Sequence, residues 1–529
     1  MSLGLQQWYL VCLWVIKNTL FCIKYICYTC ISKKILLIPF SQILSPSIGD
    51  FSYFLPESTL VFFLCAFLAI GLIARLFTEH YGSSMLIGIG ITLFCMDCTR
   101  WMMYHGESFV LFNRLIRLDD MAMLSQLLSD IIVVYTGWLL SRDEVVRLNG
   151  IRLEYVLGVL VMLLGLHILV MAIHFGSMYV AMELVSIPSY VLVSMSFSKK
   201  SALASFQYML WGAVASGVML FGMSWIYGWT GSMGFYNTSV VSIAGFVPFL
   251  TIGAVFLLAG IFFKLAFFPF HRWVSSVYSS ASLSLLPLLA VGSKLAVVVV
   301  LSRLLFSGVY WKLIDWKMLL GIIAMISMSV GNLAALRQSS VRKMIGYSSI
   351  AHAGFLLLGI ISDTQIGMYA LLFYGVVYCL MTIILLFFIQ IFGLDNQDHM
   401  EAYKGLGISY PWLSVSFVIV LVSLIGLPPT IGFSAKFFIF SALWSSYYDY
   451  HHPVLMVAFG VGLVNMILSA FYYLRIPYYL FLHKRSNVIS SVFTCKQQGI
   501  SILFAFLLII LFFMSGQIMA WIHMIRFYF

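Results

Sequence analysis

The chain has 529 residues, 62% of them hydrophobic and only 9% charged. Soluble domains carry about 25% charged residues, so a soluble globular protein is excluded and an integral membrane protein is implied. The formal net charge of +11 would suggest nucleic acid in a soluble protein. In a membrane protein, loop lysines and arginines instead orient the helices and touch anionic headgroups, so no nucleic-acid partner is expected.

The first element is an N-terminal extension over 1–53. Residues 8–32 are apolar, but Lys17 and Lys24 interrupt them and Lys33–Lys34 follow. This reads as an interfacial helix, with an extra span as the alternative. The apolar stretch is too long for a cleaved signal peptide, and no A-x-A-like site follows it. From Phe54 on, hydropathy gives fourteen spans. They cover about 54–78, 84–104, 120–140, 153–173, 175–197, 204–228, 246–270, 281–306, 313–336, 340–361, 366–393, 411–446, 453–482 and 499–522. The fold class expected is therefore an all-α polytopic membrane protein. The span at 411–446 is too long for one straight crossing, and Pro428, Pro429 and Gly432 should break it into two halves. Connections after odd-numbered spans hold Arg142, Arg147, Lys199, Lys200, Arg272, Arg337, Arg342, Lys343, Lys484 and Arg485. They should face the cytoplasm or matrix.

Nine cysteines include two C-x-x-C pairs, Cys27/Cys30 and Cys95/Cys98. Both lie in or beside apolar segments with no nearby histidine, so ordinary helix cysteines are expected rather than metal ligands. No phosphate-binding glycine loop is present, and no nucleotide, flavin or haem is expected in this chain.

Four ionisable residues, Glu183, Lys264, Lys294 and Lys436, lie inside long apolar stretches. A charge at the bilayer centre costs roughly 2.5–3.5 kcal/mol on insertion scales, so such residues mark ion or proton pathways by default. Lys264 precedes Pro269 in span seven, and Lys436 follows Pro428–Pro429 in span twelve. An odd offset of five spans means opposite orientation in the membrane, the signature of an inverted repeat with a site at each broken helix. Spans four to eight (153–306) form one repeat and spans nine to thirteen (313–482) the other. Helices over 54–140 precede them and a C-terminal helix over 499–522 follows.

Specific motifs reinforce this pattern. The run FKLAFFPFHRWVSSVY (Phe263 to Tyr278), the run GNLAALRQSSVRKMIGYSSIAHAGFLLLG (Gly331 to Gly359), LVSLIGLPPTIGFSAKF (Leu421 to Phe437) and MELVSIPSYVL (Met182 to Leu192) resemble the antiporter-like membrane subunits of proton-pumping NADH:ubiquinone oxidoreductase, respiratory complex I. The resemblance covers about Leu118 to Leu443 and is strongest to the form called subunit 2 in mitochondria and subunit N in bacteria. Lys rather than Glu at position 436 favours that form.

The resemblance implies proton translocation coupled to quinone reduction elsewhere in the complex. It implies roles for Glu183 as the acidic modulator, Lys264 as its lysine partner, Lys294 as a bridge towards the centre and Lys436 near the exit. His271 and His352 are implied on the central hydrophilic axis. NADH, FMN, iron–sulfur clusters and ubiquinone would be bound by other subunits. Partners would be other membrane subunits, including the sister antiporter-like ones, and lipids such as cardiolipin. The chain departs from the family pattern at Gln207, at Gln126, at Ser275–Ser276 and over SSASLSL.

Whether Lys264 keeps its proton depends on whether Glu183 is close, charged and facing it, which would make the pair a switch. The plainer readings are a static Glu183–Lys264 pair, a Lys294 that reaches one interface and a Lys436 that caps carbonyls of the broken helix. His167 and His174 read as structural or interfacial, and Asp119 and Asp120 as residues at the membrane surface or in contact with a neighbouring subunit. A cation/proton antiporter subunit and a non-pumping scaffold subunit of complex I are the alternative functions. The mitochondrial inner membrane is the expected location, with a bacterial plasma membrane as the alternative.

Overall fold

A computed structural model describes residues 50–73, 82–143, 152–236, 247–307, 315–392, 399–483 and 495–528. The chain divides into two units, Met1–Phe54 and Leu55–Phe529. The expected interfacial helix over 8–32 lies outside the described residues. Among the described residues, the second unit is helical apart from one short antiparallel hairpin, β1 (Phe109–Leu111) and β2 (Ile116–Leu118), and the loops.

Its helices of eight or more described residues, in chain order, are α1 (Leu55–Ile73), α2 (Gly82–Tyr104), α3 (Asp120–Leu140), α4 (Arg152–Met171), α5 (Phe175–Ser194), α6 (Lys199–Thr230), α7 (Val247–Leu265), α8 (Arg272–Ser280) and α9 (Ser293–Ser307). They continue as α10 (Trp316–Leu336), α11 (Val341–Ile361), α12 (Gln365–Ile391), α13 (Pro411–Ile425), α14 (Ile431–Tyr450), α15 (Pro453–Leu482), α16 (Cys495–Phe513) and α17 (Ser515–Ile522). Among the described residues, 11 helices are long and apolar enough to cross a membrane, and three shorter apolar helices accompany them. This is the all-α polytopic membrane architecture that hydropathy implies. Side chains cap several helix starts: Asp119 accepts from the Ala122 N–H, Ser198 closes a capping box with Ser201, and Ser340 and Thr364 accept from the third residue on. Such caps satisfy first-turn N–H groups that lack an intrahelical acceptor.

Contacts between connections respect the odd–even alternation of the spans. Arg117, after α2, donates to the Tyr236 hydroxyl after α6 at 3.0 Å and to the Tyr528 carbonyl near the C-terminus. Asp120 accepts from the Arg526 N–H, and Asp315 pairs with His452. On the other side, Ser284 donates to Asp143, and Arg475 donates to the Leu336 carbonyl. On the first side, beside Arg117 and Arg526, Asp119 and Asp120 are buried against the chain's own residues; Asp119 pairs with Arg303. They stand at the start of α3, where the hairpin and C-terminal tail fold over them.

Two crossings are interrupted. Span seven breaks between α7 and α8, and span twelve breaks between α13 and α14, as the prolines predict. Backbone groups freed at membrane depth must find partners within the protein, and each break finds different ones. At the first, the Trp273 indole N–H donates to the Phe263 carbonyl at 3.2 Å, and the Phe268 N–H donates to Ser327 Oγ at 3.0 Å. At the second, Gly426 turns the chain with φ +86°, and Lys436 donates to the carbonyls of Leu424 and Ile425 at 3.1 and 2.6 Å. The first turn of α14 then packs directly on the end of α13. A Cβ at Gly432 would stand 1.8 Å from the Ser423 carbonyl oxygen, a backbone atom that cannot swing aside. Gly432→Ala is therefore expected to cost about 3 kcal/mol, read as a lowered thermal midpoint of the solubilised protein. An unchanged midpoint would refute this packing.

Candidate functional site

The site is a row of buried polar groups between the two interrupted crossings. On α5, Glu183 accepts a 2.5 Å hydrogen bond from Ser216 of α6. Ser186 and Tyr190, one and two turns further along α5, face Lys264 at the end of α7. The Lys264 ammonium donates to Ser186 Oγ and, at 3.2 Å, to the Tyr190 hydroxyl. No ion pair within 4 Å joins Glu183 to Lys264 among the described residues. Lys264 of α7 thus bonds Ser186, one turn along α5 from Glu183, instead of Glu183 itself, and the pair is open. Both are only partly buried in the isolated chain. Behind Tyr190, Tyr208 meets it edge-on at 4.5 Å and stacks on Trp273 of α8 at 4.3 Å.

Lys294 is fully buried in the first turn of α9, just past a π-helical turn at Leu288–Gly292. Single π turns inside α-helices occur often at functional sites. Lys294 donates to the Ser349 carbonyl at 2.8 Å and to Ser349 Oγ at 2.9 Å. Ser349 Oγ in turn reaches the Tyr278 hydroxyl of α8 at 3.4 Å. His352 follows three residues later on α11; its Nδ1 lies 2.7 Å from the Tyr374 hydroxyl and its ring stacks on Tyr378 at 4.9 Å. The Tyr378 hydroxyl donates to the Ala290 carbonyl of the π turn at 3.4 Å. The row ends at Lys436, whose ammonium lies 5.0 Å from the centre of the Phe355 ring. An ammonium at the C-terminal carbonyls of α13 also meets the negative end of that helix dipole, so the capping contact foreseen for Lys436 is present.

Not every expected residue joins the row. His271 is half-buried at the start of α8 and stacks on Phe268 at 5.8 Å. Gln207 is exposed on the outer face of α6, while its neighbour Tyr208 turns inward. The serines of SSASLSL have a defined structural use: Ser282 and Ser284 share hydrogen bonds with the Tyr155 hydroxyl at 3.0 and 2.8 Å. Cys95 and Cys98 are free cysteines on α2, exposed and half-buried respectively; Cys27/Cys30 lie outside the described residues.

Sequence reasoning missed a second polar cluster, packed among α1 to α4. Arg100 of α2 donates to both carboxylate oxygens of Glu57 of α1, at 3.0–3.2 Å, and to Asp97 at 2.5 Å. Gln126 of α3 bridges Glu57 at 2.9 Å and Arg100 at 2.7 Å. His167 of α4 holds Asp130 of α3 at 3.2 Å through Nε2. Glu57, Asp97, Gln126, Asp130 and His167 are wholly inaccessible to solvent. His167 is therefore in a buried network and is not interfacial. At Gln126, where the resemblance expects lysine, a neutral amide stands beside the Arg100 cation.

An all-helical membrane protein with two interrupted, oppositely placed crossings and a buried lysine row between them is an antiporter-like transmembrane subunit. Comparison with known proteins narrows this class. A family model described as NADH:quinone oxidoreductase/Mrp antiporter, transmembrane, matches residues 172–466, and the chain belongs to that family. It is 35% identical over 354 residues to NADH-quinone oxidoreductase subunit N of Thiobacillus denitrificans, covering 65% of this chain and 70% of that protein. Subunit N of Thioalkalivibrio sulfidiphilus is 32% identical over 444 residues, 81% of this chain and 88% of that one. A chain in the structure of respiratory complex I from Thermus thermophilus superposes with a TM-score of 0.72 at 26% identity, covering 88% of this chain and 98% of that chain. A chain of the Mrp complex from Dietzia, at 17% identity and a TM-score of 0.70 over 88% of this chain and 96% of that chain, shares the fold.

Proposed function

We propose that this chain is a proton-translocating membrane subunit of an NADH:quinone oxidoreductase. The observation that carries the reading is the row from Glu183 through Lys264, Lys294 and His352 to Lys436. Its lysines are held by hydroxyls and carbonyls, groups that can accept an ammonium's hydrogen bonds without fixing its charge state. Lys264 is the member that switches partners in this scheme. Its ammonium rests on a serine and a tyrosine hydroxyl beside an unpaired Glu183, so closing the pair favours proton capture and opening it favours release. Lys294 and Lys436 would pass the proton on with His352, and His271 would act at the edge of the axis.

The chain does no redox chemistry in this scheme. NADH, FMN, iron–sulfur clusters and ubiquinone are assigned to other subunits, and quinone reduction biases the Glu183–Lys264 pair from a distance. The outer face of α6 carries exposed Leu203, Leu210, Trp211 and Val214. Sister antiporter-like subunits and lipids such as cardiolipin are assigned to such lateral faces. The chain is a membrane protein; the bacterial organisms of its relatives support the plasma membrane, whereas composition had favoured the mitochondrial inner membrane.

The test is to solubilise native membranes gently, resolve complexes on a native gel, stain for NADH oxidation and locate this chain by mass spectrometry. It is expected in the NADH-oxidising band. Recovery only in a smaller band without flavin or iron–sulfur partners would overturn complex I membership and favour a cation/proton antiporter.

A further inference from the structure

The cluster among α1 to α4 lies off the lysine row, and the proposed mechanism makes no use of it. Its charge does not balance. Glu57, Asp97 and Asp130 carry three negative charges when ionised. Arg100 offers one positive charge and His167 at most one more. At least one negative charge is left over in a region sealed from solvent, and an uncompensated buried ion costs several kcal/mol. Among the described residues, the ionisable side chains that hydrogen-bond or ion-pair within the cluster are Glu57 of α1, Asp97 and Arg100 of α2, Asp130 of α3 and His167 of α4.

A second observation points to what is bound. Asp97 Oδ2 and Asp130 Oδ2 are buried and have no hydrogen-bond partner, and His167 Nδ1, also buried without a hydrogen bond, lies 3.5 Å from Glu57 Oε1. Asp97, Asp130 and His167 each offer an atom within 4.8 Å of the others. Buried polar atoms are nearly always paired, so these mark room for one more positive charge. We propose that the cluster is a proton-binding site separate from the lysine row, in which an exchangeable proton is shared among Asp97, Asp130 and His167. A metal ion fits less well. Asp97 Oδ1 is already taken by Arg100 and Asp130 Oδ1 by His167 Nε2, and the Arg100 cation would repel it. A proton on either free carboxylate oxygen cancels the charge without displacing a contact.

Infrared spectroscopy of the intact complex tests this, using 13C-aspartate labelling and exchange into D2O. The expected result is a protonated-carboxyl C=O band that shifts with the label and with deuterium, and that is lost in Asp97→Asn or Asp130→Asn. If those variants do not assemble, Asp97→Glu and Asp130→Glu keep the carboxyl and should transfer the band from aspartate to glutamate labelling. An aspartate band unchanged in all assembled variants, or no such band in the wild type, would overturn the proposal. So would one equivalent of sodium or zinc in the wild-type complex that disappears in the same variants. The outcome is independent of whether the chain resides in an NADH-oxidising complex.

Discussion

Lys264→Met is expected to lower proton transport through this chain about 10²-fold, the lower end of what a positioned proton-transfer group commonly contributes. The amount of assembled protein should stay near wild type. Methionine matches the length of the lysine stem and is a tolerant filler of irregular apolar space. The groups it abandons, Ser186 Oγ and the Tyr190 hydroxyl, lose little: Ser186 still donates to the Met182 carbonyl. Glu183 keeps its bond from Ser216. Proton uptake by proteoliposomes of the purified complex, divided by the rate of NADH oxidation, reads the effect directly. An unchanged ratio would remove Lys264 from the pathway. Lys436→Met is the informative contrast, because that lysine satisfies two carbonyls at the break. Its loss should reduce the assembled protein as well as transport, since stranded buried carbonyls cost about 1–3 kcal/mol.

These expectations show where the sequence was sufficient. The lysines of FKLAFFPFHRW and IGFSAKF stand out against mostly apolar neighbours, and nearby prolines announce a broken helix. Lys264, Lys294 and Lys436 could thus be singled out one residue at a time, while their roles and the inclusion of His352 came from the family resemblance. What the sequence does not encode locally is the state of each contact. Nothing in the motifs says that Lys264 rests on Ser186 and Tyr190 instead of Glu183, or that a tryptophan caps one break and a lysine the other. The second cluster was harder still. Glu57, Arg100 and His167 lie near the ends of their spans, where charges are usual. Their partners come from four helices, with the Arg100–Glu57 pair 43 residues apart and Gln126–Glu57 69 apart. The visible trace was an acidic or basic residue in each of the first four spans, together with the Asp97–Arg100 spacing of three. Each was unremarkable alone, and only tertiary packing joins them.

That cluster gives the largest expected stability effect. Arg100→Met should destabilise the protein by about 3–5 kcal/mol, the usual result of removing one partner of a buried ion pair. Arg100 is the one permanent cation among three carboxylates, and it donates to Glu57, Asp97 and Gln126 together. Methionine leaves Glu57 with only Gln126 and a 3.5 Å approach from His167. Because the defect is one of charge, it should be repairable in charge terms. Glu57→Gln in the same chain removes one negative group and restores the wild-type net charge of the cluster. The double variant is therefore expected to recover more than half of the loss, although each single variant is damaging. The measurement is a double-mutant cycle on the thermal midpoint of the solubilised complex, which isolates the coupling between the two residues. A coupling of about 2 kcal/mol or more is expected, and additive single effects would show that Arg100 serves packing alone. The same cycle separates the cluster's two needs. Arg100 fixes Glu57 permanently, while the surplus negative charge remaining on Asp97 and Asp130 is left for an exchangeable proton.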